Sequence, residues 1–123
     1  MEFVKQKYKQ AYRKFGKTKE ALFWPKGRQK ERFKLLTQFF KKTDFSVLDF
    51  GCGFGDLKKF LDKTGYRNFI YVGVDIVEEF VKECKAEDWK GNTQFKLINK
   101  VDDIKDQFDY IVISGTFIVS LIN

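Results

Sequence analysis

The chain predicts an α/β fold built on a parallel sheet with helices on both faces, preceded by two N-terminal helices. Three observations carry that expectation. After residue 45, short apolar runs alternate with amphipathic segments, and the runs are nearly continuous in apolar residues, as in strands buried on both sides. The first run opens into a glycine-rich turn, Gly51-Cys52-Gly53-Phe54-Gly55, that leads straight into a helix start. Each run is also followed by polar, acidic or small residues, which a parallel sheet gathers at its carboxyl edge, where such sheets bind ligands.

The elements follow in order. Val4, Tyr8, Ala11, Tyr12 and Phe15 recur at helical spacing among lysines, and Gly16 stops that helix. Residues 17–27 form a loop with an aromatic cluster around Trp24, which Pro25 holds out of a helical conformation. A second helix is expected from about Arg28 to Lys42, with Phe33, Leu36 and Phe40 on one stripe and Leu35 and Phe39 beside it. The strands are expected at about 46–50, 69–74, 93–98 and 108–114. Helices are expected at about 56–63, with Leu57, Phe60 and Leu61 facing inward, and at 77–87, burying Val77, Phe80, Val81 and Cys84. One short helical turn falls within 99–107. Only about four strands are present.

Composition narrows the chemistry. With 123 residues, 43% hydrophobic content and 15 Phe, this is one folded domain with a real core. The absence of histidine removes Ser-His-Asp and Cys-His nucleophile systems and histidine metal sites. Cys52 and Cys84 form neither a disulfide framework nor a metal spacing, which points to a reducing cytoplasm. The longest uncharged run, residues 110–123, is 14 residues, short of the roughly 20 a spanning helix needs, so no membrane segment is expected. The net charge of +7 is uneven: residues 1–45 carry +10 and residues 46–123 carry −3. The basic arm offers a contact for nucleic acid or another anion, although a solvated lysine-rich face has the same composition.

The glycine loop itself selects among ligands. A dinucleotide fingerprint reads G-x-G-x-x-G, whereas the glycines here read G-x-G-x-G and the sixth position is Asp56. Asp56 and Asp49 would repel a pyrophosphate. A cationic ligand with a sulfonium and an α-amino group suits the loop better.

These motifs resemble those of class I S-adenosylmethionine (SAM)-dependent methyltransferases, whose core is Rossmann-like. Residues Val47-Leu48-Asp49-Phe50-Gly51-Cys52-Gly53-Phe54-Gly55 resemble the family's first motif, and Tyr71-Val72-Gly73-Val74-Asp75-Ile76 its second. Residues Phe108-Asp109-Tyr110-Ile111-Val112-Ile113-Ser114-Gly115 resemble its fourth-strand motif. The resemblance covers about 46–117. It implies methyl transfer from SAM, leaving S-adenosylhomocysteine (SAH). Gly51, Gly53 and Gly55 would admit the methionine part, with Cys52 and Phe54 completing the loop. Asp49 would orient the loop and the amino group, and Asp75 would bind both ribose hydroxyls. As a rival role, Asp75 suits the N-cap of the next helix. Ile76 would pack on the adenine, and Asn99, with Asp102 and Asp103 as substitutes, would meet its amino group, although Asp102 and Asp103 are better suited to a helix N-cap. Ser114 and Gly115 would lie near the transferring methyl. No residue is assigned as catalytic, since an in-line displacement from a sulfonium mainly needs alignment and exclusion of water. The fourth-strand sequence Ser-Gly-Thr-Phe departs from the Asn/Asp-Pro-Pro-Tyr/Phe of enzymes that methylate amino groups of DNA.

The family has a seven-stranded sheet, so the chain is expected to be truncated after the fourth strand. Residues 1–45 are expected to act as a basic helical arm or lid, and residues 46–123 as the SAM-binding core. The acceptor is expected to be a small molecule, with nucleic acid as the alternative through the arm. A second copy or a partner chain is expected at the fourth-strand edge. The rival to an enzyme is a non-catalytic SAM-fold module whose arm docks on nucleic acid or a protein.

Overall fold

A computed structural model describes residues 29–113. The helix expected at 3–15, the Trp24-Pro25 loop, and Ser114 with the residues after it lie outside the described residues. Within them, α1 (Gln29–Leu36), β1 (Thr43–Phe50), α2 (Asp56–Lys63), β2 (Arg67–Asp75), α3 (Glu78–Lys85), β3 (Asn92–Leu97) and β4 (Tyr110–Ile113) follow in order, with a 3-10 turn at Val101–Asp103. The four strands form one sheet in the order β3-β2-β1-β4, and every pairing is parallel. The chain runs outward from β1 through β2 to β3, then returns to place β4 on the other side of β1. The strand order therefore reverses beside the end of β1, where the glycine loop begins.

The register shows why these residues alternate as they do. Phe45, Val47, Phe69, Tyr71, Phe95 and Val112 lie in one buried cluster, closed by Leu57 and Leu61 of α2 and by Val81 and Cys84 of α3. Leu48, Phe50, Val72 and Val74 lie in a second cluster with Phe54, Ile76, Val77, Phe80 and Ile98, against which Ile104 and Phe108 pack. Each large apolar side chain so buried contributes about 1.5–3 kcal/mol, which makes the strand pattern decisive over local propensity. β4 is clipped to β1 at its start. The Ser46 N–H donates to Asp109 Oδ2 at 2.9 Å, and the Asp109 N–H donates to Ser46 Oγ at 2.9 Å.

Two expectations need correction. The helix expected to reach Lys42 ends at Leu36, so Leu35, Leu36 and Phe39 are exposed and the stripe reduces to Phe33. The Thr37 hydroxyl bonds back to the Phe33 carbonyl, and Phe40 is drawn instead into a stack on Tyr110 with centroids 4.0 Å apart. β1 begins at Thr43, earlier than expected. Asp44 adopts a left-handed φ of 59°, and the Lys42 carbonyl accepts the Arg67 N–H at 2.8 Å, so pairing with β2 starts before the apolar run does. The expected helix at 56–63 is α2 as observed, and all four residues expected to be buried by the following helix are buried.

Candidate functional site

The carboxyl ends of β1 and β2 are tied together by the loop that follows β1. The Gly51 and Cys52 N–H groups both donate to the Val74 carbonyl, at 2.9 and 3.0 Å. The Gly53 N–H donates to Asp75 Oδ2 at 2.9 Å, and the Val77 N–H donates to Asp75 Oδ1 at 3.0 Å. The Asp75 carbonyl accepts the Ile98 N–H at 2.9 Å. Asp75 thus joins the glycine loop, the entry to α3 and the end of β3. The N-cap of α3 is Val77, so the Asp75 carboxylate supports the helix start from two residues upstream.

Asp75 is 5% exposed, and burial pushes its pKa up to about 6 against the opposing pull of the Gly53, Val77 and Ile76 N–H groups. A carboxylate offers about four acceptor positions, so two side-chain hydrogen bonds leave it capacity for a ligand's hydroxyl groups.

Asp49 lies one strand away. It faces Gly73 across the β1–β2 pairing and is 3% exposed. The Tyr71 hydroxyl donates to Asp49 Oδ2 at 2.5 Å. Burial raises Asp49 to about 7. The Tyr71 bond opposes that rise, and the charges of Asp75 and Asp56 add to it. The ion pairs among the described residues include Lys58 with Asp62, Lys59 with Glu87 and Lys82 with Glu78, and none of these neutralises Asp49 or Asp75. Among the described residues, then, the site is two buried carboxylates with no cation paired to them, Asp75 held by the Gly53 N–H of the loop and Asp49 by the Tyr71 hydroxyl.

The loop conformation depends on residues without side chains. Gly51, Gly53 and Gly55 have φ of 81°, 56° and 80°, in the left-handed region. At Gly55 space is limiting as well, because a Cβ there would lie 2.6 Å from the Trp89 ring. Gly55 then serves as the N-cap of α2, and the Asp56 carboxylate accepts the Gln29 side-chain amide at 2.9 Å, tying α1 to the first turn of α2. Cys52, Phe54 and Ile76 are buried in the packing beneath the loop. The thiols of Cys52 and Cys84 both point at the Gly53 carbonyl, at 3.7 and 3.3 Å, and burial pushes the Cys52 thiol well up, away from nucleophilic reactivity. Asn99 is exposed just beyond β3. Asp103 is committed elsewhere, since its carboxylate accepts the Asn99 and Lys100 N–H groups and closes the turn, which also lowers its pKa. Asp102 is exposed on the same turn.

The structure therefore brings Asp49, the loop from Gly51 to Gly55, Asp75, Ile76 and Asn99 to one edge of the sheet, while Ser114 lies outside the described residues. Sequence reasoning missed Tyr71, Gly73, Gln29 and Trp89 as supports of that edge. Tyr71 read only as a strand residue, although alternation placed it on the same face as Asp49. Among the described residues no cluster of three or more His, Cys, Asp or Glu is placed to hold a metal ion, and no helix is long and apolar enough to cross a membrane.

Residues 47–121 match a family described as a methyltransferase domain. Rv1506c of Mycobacterium tuberculosis (strain ATCC 25618 / H37Rv), a protein that carries a methyltransferase name, is 35% identical over 78 residues, which is 63% of this chain and 45% of that protein. Among solved structures, a Haloferax volcanii methyltransferase complex with the activator Trm112 is similar with a TM-score of 0.61 and 21% identity, over 88% of this chain and 45% of the other. The plantazolicin methyltransferase BpumL in complex with SAH is similar with a TM-score of 0.55 and 20% identity, again over 88% of this chain and 45% of the other. At these identities the structural likeness is one of fold. The chain spans less than half the length of the curated relative it matches.

Proposed function

The chain belongs to the methyltransferase domain family, and from that premise we propose that it binds SAM and serves methyl transfer from it to a small-molecule acceptor. The observation that carries the reading is the pair of buried carboxylates, Asp49 and Asp75, at the sheet edge that the glycine loop closes, with no cation paired to either among the described residues. This donor set fits SAM, which presents a positive sulfur, an ammonium and two ribose hydroxyls, and it disfavours a pyrophosphate. When bound, SAM supplies an electrophilic methyl group on its sulfonium.

The protein's own residues would hold and orient that group. The remaining acceptor capacity of Asp75 suits the ribose hydroxyls, and the charge of Asp49 suits the cationic end. Gly51, Gly53 and Gly55, with Cys52 and Phe54 between them, would let the backbone lie close to the ligand. Asn99 and Ile76 are assigned to the adenine, and Ser114 to the neighbourhood of the methyl group. Residues 1–45 would act as an arm over the core of 46–123, a reading that the Gln29–Asp56 contact between α1 and the start of α2 supports. The free, buried Cys52 and Cys84 support a reducing, cytoplasmic setting. The Haloferax complex supports a partner chain as a route to full function, with the β4 edge as its place of contact. A non-catalytic module that docks on nucleic acid is a second reading, resting on the +10 charge of residues 1–45.

Calorimetric titration with SAM and with SAH tests the reading. Saturable binding of both, lost on Asp75→Ala, is expected. A protein that binds neither overturns it. Strongly salt-dependent binding to generic RNA or DNA, without SAM binding, would establish the second reading.

A further inference from the structure

The row of residues across one face of the sheet at the level of Asp49 runs Phe95, Gly73, Asp49, Val112. Three of its members carry side chains, and the fourth has none. A Cβ at Gly73 would lie 2.9 Å from the Tyr71 hydroxyl and 2.9 Å from the Phe95 ring. The gap at Gly73 is therefore occupied by two neighbours, and one of them, the Tyr71 hydroxyl, reaches through it to Asp49. Tyr71 is completely buried, and its ring packs at 5.6 Å from that of Phe95.

We propose that Tyr71 is a positioning residue of the cofactor site, holding the Asp49 carboxylate in place and in its charged form through the opening that Gly73 provides. The inference rests on the SAM reading and assigns that site a support drawn from β2. Geometry supplies the first part of the argument, because one strong donor on a buried, closely packed ring fixes the Asp49 rotamer. Electrostatics supplies the second. Among the described residues, the groups facing Asp49 are Tyr71 and Asp75 from β2, Asp56 from α2 and the Cys52 thiol from the loop, while the Cys84 thiol from α3 faces Tyr71. None is a cation. Burial and both neighbouring carboxylates favour a neutral Asp49, and the Tyr71 hydroxyl favours the charged form. A cationic ligand needs that charged form, so the hydroxyl extends the pH range over which the site can receive it.

The test uses Tyr71→Phe, which removes one hydroxyl and leaves the ring. Carbon-13 NMR of labelled aspartate carboxyls reads the Asp49 midpoint in the free protein, and calorimetry reads SAM affinity against pH. The expected result is an Asp49 midpoint higher by about one pH unit, with the SAM affinity profile displaced by the same amount and the SAH profile displaced less. Asp49→Asn supplies a second arm that does not depend on how Tyr71→Phe folds: it should remove the upper step of the SAM affinity profile. An unchanged Asp49 midpoint in a folded Tyr71→Phe protein that still binds SAM overturns the role of Tyr71 alone. A profile that keeps its upper step in Asp49→Asn overturns the role of the Asp49 charge. If the parent protein binds SAM at no pH, the cofactor reading fails, and the purpose assigned to Tyr71 fails with it.

Discussion

Gly53 and Asp75, 22 residues apart in the chain, meet through one hydrogen bond from the glycine N–H to Asp75 Oδ2 at 2.9 Å. That bond is where the loop after β1 is held to the end of β2, and it makes one carboxylate both a structural tie and a ligand group. Asp75→Asn separates the two roles. The amide oxygen can accept from only one side of the original fork, and an N–H donor is placed against one of the two backbone donors. SAH affinity is expected to fall about tenfold or more. The denaturation midpoint at pH 8 should move little, because removal of a buried charge offsets the lost bonds. Paired calorimetry and urea denaturation check both statements.

The two buried carboxylates give stability a definite pH dependence. Asp49 is raised to about 7 and Asp75 to about 6, each from 3.8 and each chiefly by burial. The folded protein keeps these protons where the unfolded chain releases them. It therefore binds more protons between about pH 4 and about pH 7, and stability falls as pH rises through that window and levels off above it. Asp49→Asn should flatten the slope and be more stable than the parent at pH 8, while binding SAM more weakly. Urea midpoints measured across the window test this, and a parent protein whose stability rises over it would contradict the assignment.

Gly55→Ala meets two obstacles. Its φ of 80° costs an L-residue about 1–2 kcal/mol. The new methyl group would also lie 2.6 Å from the Trp89 ring. A total loss of about 2–4 kcal/mol is expected. Adding Trp89→Phe should recover part of it by shortening the ring, though never all, since the backbone strain remains. Chemical denaturation of the single and double variants measures the recovery.

Ser46→Ala removes the hydroxyl that accepts the Asp109 N–H at 2.9 Å. The site is solvent-accessible, so a cost of about 0.5–1.5 kcal/mol is expected. Its effect should be local. Amide hydrogen exchange at Ile111 and Val112 on β4 should quicken more than exchange on β2, whose pairing to β1 is longer. Uniform acceleration across the sheet would contradict a local clip.

Much of this was legible before the fold was known. Strand and helix periods located four strands and the helices of the core, since continuous apolar runs and 3.6-residue stripes report burial directly. The boundaries that failed are those set by contacts distant in sequence. Phe40 leaves the expected helix because Tyr110, 70 residues later, offers a stacking partner, and β1 starts early because Arg67 pairs with Lys42. Of the site, the glycine loop and the acid ending β2 were readable from spacing, and Asp103, better suited by its position to capping a helical turn than to an adenine contact, does close the start of the 3-10 turn through the Asn99 and Lys100 N–H groups.

The sequence by itself determined the alternation of strand and helix, the loop after the first strand and the acidic character of its surroundings, because these depend on local spacing and residue type. Tertiary structure alone decided that Asp49 and Asp75 are both buried at one sheet edge with no cation paired to them among the described residues, that Gly73 leaves room for the Tyr71 hydroxyl, and that Gly55 is required by Trp89 as well as by its own φ. Those are facts about neighbours. A parallel sheet brings together side chains more than 20 residues apart, and the charge state and fixed geometry of a buried group follow from what it meets there.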